Sequence, residues 1–81
     1  MARMEVFKQV VATREIAREA HLAMFNALQG AGNVEILALI ENRPPHTEVL
    51  PDSHRIHDVW SYLQDHCEDQ KIHLTIFKES N

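Results

Sequence analysis

Met4-Glu5-Val6-Phe7-Lys8-Gln9-Val10-Val11 decides the fold of this chain, because it admits two readings with different consequences. Its valines and phenylalanine favour an extended strand. As a strand it turns Met4, Val6 and Val10 to one side and Phe7 and Val11 to the other. Lys8, Gln9 and the Ala12 that follows tolerate helix, so the rival is one long helix from Met4 to Gln29. Periodicity separates the two. At about 100° per residue, the apolar stripe of Ile16 to Leu28 does not continue that of Met4 to Val11. A single rigid helix would have to bury two different faces, so the strand is the better reading.

From Thr13 the period becomes helical, with the Thr13 hydroxyl placed to accept amides of the first turn. Ile16, Ala17, Ala20, Ala23, Met24, Ala27 and Leu28 fall on one face, and Arg14, Glu15, Arg18, Glu19 and Asn26 on the other. His21 points away from the main stripe, beside Arg14 and Arg18, and is expected in solvent. Leu22 and Phe25 interrupt the polar side, which suggests that the outer surface of this helix is also partly covered. Gly30 supplies a residue without a Cβ where the helix stops.

After Gly30-Ala31-Gly32-Asn33 the alternation returns. Val34, Ile36, Ala38 and Ile40 face one way and Leu37 and Leu39 the other, and a strand apolar on both faces belongs in the middle of a sheet. Asn42-Arg43-Pro44-Pro45 ends it, since proline cannot donate to a ladder. His46 to Leu50, bracketed by prolines, suits a short edge strand. Asp52 or Ser53 caps a second helix with Ile56, Val59, Trp60, Leu63 and Cys67 on its apolar stripe. Finally, Ile72, Leu74 and Ile76 alternate with His73, Thr75 and Phe77 in a closing strand.

The order β-α-β-β-α-β describes a single α+β domain over residues 1–81, a two-layer sandwich of the ferredoxin-like, split βαβ kind. Were the first segment helical, the order would be α-β-α-β, and dimerisation would be needed to complete the sheet.

Composition narrows the function classes. With 81 residues, 44% of them apolar and 25% charged, the chain is globular and has room for one core. Its formal charge is -4, and its eight basic residues are scattered along the chain. That argues against nucleic acid and against an anionic membrane surface as partners. One cysteine allows no internal disulfide and suits a reducing compartment. The first residues lack the sustained apolar stretch of a signal peptide, and Ile36 to Ile40 is too short to span a bilayer. A cytoplasmic protein is expected.

The sequence contains no glycine-rich phosphate loop, no serine nucleophile elbow and no pair of carboxylates in an apolar setting, so the question of an enzyme stays open. The strongest functional expectation comes from the sheet. If both helices cover one side, then Leu37, Leu39, His73, Thr75 and Phe77 share the other, joined by Val6 or Phe7. A contiguous apolar patch of this kind marks an interface. The expected function is therefore a small interaction or regulatory domain acting as a homodimer through its sheet face. The simpler alternative is that the loop from Asn42 to Pro51 folds over that face.

Two further sites are expectations of lesser weight. His73, a titratable group among apolar neighbours, would mark a pocket on the sheet face of a ligand binder or cofactor-independent enzyme. His54, His57 and Asp58 lie at i, i+3 and i+4 on the second helix. With His46 from the preceding loop they have ligand types suited to zinc or nickel. No recognised ligand signature accompanies them, and capping with surface solvation is the simpler reading. Cys67, on the apolar stripe near a helix C-terminus, reads as a buried small hydrophobe rather than a nucleophile. Trp60 reads as core, and Tyr62 lies at the margin of the stripe.

Overall fold

Six elements follow one another in the computed structural model, which describes residues 2–79. They are β1 (Arg3–Val11), α1 (Arg14–Leu28), β2 (Val34–Leu39), β3 (His46–Leu50), α2 (Ser53–Gln70) and β4 (Ile72–Glu79). The opening segment is thus a strand, and the architecture is an α+β ferredoxin-like sandwich. The sheet order is β1-β4-β2-β3, with every neighbouring pair antiparallel. β1 and β2 therefore run parallel with β4 between them, and β3 and β4 run parallel with β2 between them. Each helix bridges one of these split βαβ units. The second and last strands take the centre.

Register fixes which residues meet the helices. Ile72, Leu74 and Ile76 of β4 are buried beside Val34 and Ile36 of β2, with Leu50 of β3 and Val11 of β1 completing the layer. Against them pack Ala17, Ala20 and Met24 of α1 and Ile56, Val59, Leu63 and Cys67 of α2. Each large aliphatic side chain in this layer contributes about 1.5–3 kcal/mol by leaving water.

β1 departs from simple alternation. Its register with β4 shifts between Glu5 and Phe7, a bulge that leaves Val6 without a partner. Phe7 accordingly pairs with Ile76 and packs on the core, while Met4 pairs with Lys78. The expected grouping of Met4, Val6 and Val10 on one side is corrected by this extra residue. Val10, opposite His73, remains on the face away from the helices.

Both helices are capped as the sequence indicates. Thr13 Oγ1 accepts from the Ile16 amide at 3.2 Å, and Asp52 Oδ1 accepts from the Arg55 amide at 2.9 Å. Gly30 leaves α1 at φ +87°, a left-handed conformation open to glycine at little cost. Gly32, at φ +101°, is held more tightly. A Cβ there would lie 1.9 Å from the Glu79 carbonyl oxygen. The same turn is clamped to the end of β4, because the Glu79 amide donates to the Asn33 carbonyl at 2.8 Å and Lys78 Nζ to the Gly32 carbonyl at 3.1 Å.

α1 and α2 lie side by side, joined at an aromatic contact that corrects the expected placement of His21. His21 is half-buried, and its ring stacks on Trp60 at 4.7 Å between centroids, with His57 tilted against Trp60 at 5.5 Å. The reason is proximity: Trp60 reaches across from α2 and covers the side of α1 that carries His21. Burial first, and then the charge of His57, lower the His21 pKa from its ordinary value near 6.5.

Two outcomes follow from these contacts. Gly32→Ala lowers the urea midpoint more than Gly30→Ala does. The latter costs about 1–2 kcal/mol for its left-handed backbone alone; the former must also move the end of β4. The lowered pKa of His21 means that the unfolded chain binds more protons between the folded and ordinary values. Stability is therefore full above about pH 6.5 and falls as pH drops toward the folded value, then levels off. Urea midpoints taken from pH 7.5 to 5 decline less in His21→Phe, which keeps the stack and removes the titration.

Candidate functional site: an open sheet face and a cleft beneath the helices

The face of the sheet away from the helices brings together all five residues expected there. Leu39 pairs with His73 and Leu37 with Thr75, while Phe77 lies opposite Glu35. Val10 joins from β1 and Val49 from β3. Leu39 is 43% exposed, Val49 49% and Val10 39%, so apolar surface at the centre and both edges meets water. The segment after Asn42 does not fold over this face, because its second half is β3 itself, hydrogen-bonded to β2 as the edge of the sheet.

An ion pair lies at one end of the face. The Arg3 guanidinium lies 4.0 Å over the Phe77 ring and 3.6 Å from Glu35. Glu35 in turn shares a hydrogen bond with Glu79, which, with burial and the Glu79 charge, raises its pKa above the ordinary carboxylate value. The opposite end carries Leu39, Val10 and the exposed His73, with Lys8 on the same face opposite Thr75 and Glu41 and Lys71 at the border. His73 borders an open groove with Leu39, Glu41 and Lys71.

The larger concavity lies on the other side of the sheet. The inward row of β3 reads Leu50, Glu48, His46, paired with Val34, Ile36 and Ala38 of β2. Leu50 packs under the helices, but Glu48 and His46 supply no apolar bulk, and Ala38 is small. α2 leans on α1 and meets the sheet mainly at β3. A cleft of about 540 Å³ is left where the inward row turns polar. Ile36, Ala38 and Leu74 form its floor, and Val59, Tyr62 and Leu63 of α2 its wall.

Its mouth is charged. Arg55 grips Glu48 at two points, Nη2 donating to Oε1 at 2.9 Å and Nε to Oε2, and reaches Asp58 at 3.7 Å. His46 Nε2 lies 3.0 Å from the same Glu48 Oε1. The Arg55 hydrogen bond is the main reason that the Glu48 pKa sits below its ordinary value, and Glu48 raises that of Arg55 in return. On the other side of the mouth, Arg43 donates to the Tyr62 hydroxyl at 3.3 Å, and Tyr62 donates to Gln70 Oε1 at 2.8 Å. Among the described residues Arg43 takes part in no ion pair.

The four residues considered for metal are dispersed. His46 and Asp58 are both at the cleft mouth, engaged by Glu48 and Arg55 respectively. His57 turns to Trp60, and His54 is exposed on the first turn of α2. Among the described residues no three His, Cys, Asp or Glu side chains gather to hold an ion. Cys67 is buried, as expected of a small hydrophobe. The cleft itself is what sequence reasoning missed. Its one legible signal is Glu48 on the same side of β3 as Leu50, followed seven residues later by Arg55 in the first turn of a helix.

Comparison with models of protein families, with curated proteins and with solved structures finds no match.

The ion pair at the mouth has a measurable signature. Glu48→Gln lowers stability by about 1 kcal/mol, the upper end for a partly exposed pair. Because the Glu48 pKa is lowered on folding, its contribution is present above the ordinary carboxylate range and lost as pH falls through the folded value. Chemical denaturation between pH 5 and 3 therefore shows a shallower acid loss in Glu48→Gln than in the parent.

Proposed function

We propose that this protein is a small interaction or regulatory domain that works as a homodimer, joining two copies through the open sheet face. The observation that carries the reading is the convergence of Leu37, Leu39, Val10, Val49 and Phe77 on a surface that neither helix nor loop covers. Removing such a patch from water is the main favourable term in association.

A second copy suits this surface in size and charge. Four strands about 4.8 Å apart, with five to nine residues at about 3.3 Å each, give a face of roughly 450 Å² in projection. Two such faces bury on the order of 1,000 Å², near the lower bound for a specific contact. The dimer is accordingly a concentration-dependent one, with a dissociation constant in the micromolar range, rather than an obligate assembly. A stacking with the strands of the two copies running the same way sets the Arg3, Glu35 and Glu79 end of each face against the same end of the other. Arg3 of one copy then comes within reach of the acidic pair of its mate, or of Glu5. The single buried cysteine is in keeping with work in the reducing cytoplasm.

Sedimentation equilibrium over a concentration series from about 1 to 500 µM tests the reading. The parent is expected to shift from monomer toward dimer, and Leu37→Asp to stay monomeric with an unchanged circular dichroism spectrum. A parent that is monomeric throughout, or a Leu37→Asp variant that dimerises as well as the parent, overturns it.

A further inference from the structure

We infer that the cleft between α2 and the β2–β3 hairpin is a binding site for a small carboxylate with an apolar body, such as a medium-chain fatty acid. The inference goes beyond the proposed dimer and uses the opposite side of the sheet. Its first support is shape. The cleft holds about 540 Å³, within the roughly 300–1,000 Å³ of small-molecule sites, and it is walled by sheet and helix while open at a polar mouth.

The second support is the apolar surface that the cleft leaves open. Ile36, Val59, Leu63 and Leu74 are buried at its base, while Ala38 and Ile40 are only partly covered and Tyr62 is exposed. Two polar bridges cross beside them. Arg55 spans from α2 to Glu48 on β3, and Arg43 spans from the loop to Tyr62 on α2. Packing methylene groups into the gap gains contact with both walls without breaking either bridge.

The third support is the charge at the mouth, which selects the head group. Arg55 is hydrogen-bonded to Glu48 at two points and lies 3.7 Å from Asp58, so one cation is shared between two carboxylates and has no donor to spare for a ligand's head group. Arg43 is held only by the neutral Tyr62 hydroxyl. It is the one mouth cation without a carboxylate partner among the described residues, and its planar fork matches a carboxylate at two points. A carboxylate bound there accepts from Arg43 while the alkyl chain runs along Ala38 toward Leu63.

Three eight-carbon probes separate the possibilities: octanoate, 1-octanol and octylammonium, each titrated into ¹⁵N-labelled protein and followed by amide shifts. Octanoate is expected to saturate, with the largest changes at Ala38, Tyr62 and Leu63, and to bind more tightly than either other probe. Arg43→Gln, a change in an exposed loop, is expected to weaken octanoate about tenfold and leave octanol unaltered. Ala38→Phe, which fills the floor, is expected to abolish binding of all three. The site is overturned if no probe saturates, or if the shifts gather at Leu37, Leu39 and Phe77. The carboxylate assignment is overturned if octanol or octylammonium binds as tightly as octanoate, or if Arg43→Gln leaves octanoate binding unchanged.

Discussion

β4 is the strand on which the rest of the molecule depends. It is the last element made, yet it lies between β1 and β2, and neither split βαβ unit closes its sheet without it. Ile72, Leu74 and Ile76 anchor it in the helix-side core, while its far end clamps the α1–β2 turn through Glu79 and Lys78. Its alternate residues His73, Thr75 and Phe77 lie on the side that the two helices do not cover. Topology leaves that side open, and Leu37, Leu39 and Phe77 make it apolar.

The two sides of the sheet consequently pose different physical problems. On the helix side, Val11, Val34, Leu50 and the row of Ile72, Leu74 and Ile76 are buried beneath the helices, and the inward row turns polar where β3 passes from Leu50 to Glu48 and His46. Polar groups there cannot fill apolar space, but they can tie α2 in place at a distance. On the open side the one ion pair among the described residues, Arg3 with Glu35, sits at one end. Side chains such as Leu39 and Val49 are left in contact with water, and the available remedy is another surface. The cleft and the open face share the backbones of β2, β3 and β4, whose alternate residues look opposite ways: Ile36, Ala38, Glu48 and Leu74 to the cleft, Leu37, Leu39, Val49 and Thr75 to the face.

Much of this was legible in the sequence because period and capping residues are local. The switch at Thr13, the stop at Gly30 and the cap at Asp52 are all realised, and the strict alternation of Ile72 to Phe77 places both faces of β4 correctly. The failures have non-local causes. The bulge at Val6 changes parity without leaving a mark in composition, and it takes Met4 off the open face, while Phe7 stays on the side of Val11 as expected. His21 faces the polar side of its own helix, and only the reach of Trp60 from a second helix makes it half-buried. The spacing of His54, His57 and Asp58 is real, but nearby Arg55 and Trp60 engage two of them, and His46 is taken by Glu48. The cleft arises from how far α2 stands off the sheet, a distance that no single segment encodes.

The proposed pairing of sheet faces is tested most directly by intermolecular contacts in a mixed sample, half ¹³C-methyl-labelled and half unlabelled, at millimolar concentration. If two copies meet as described, isotope-filtered spectra contain cross-peaks from the methyl groups of Leu37, Leu39 and Val49 to protons of the unlabelled copy. Cross-peaks confined to other surfaces, or none at all from these three residues, would contradict it.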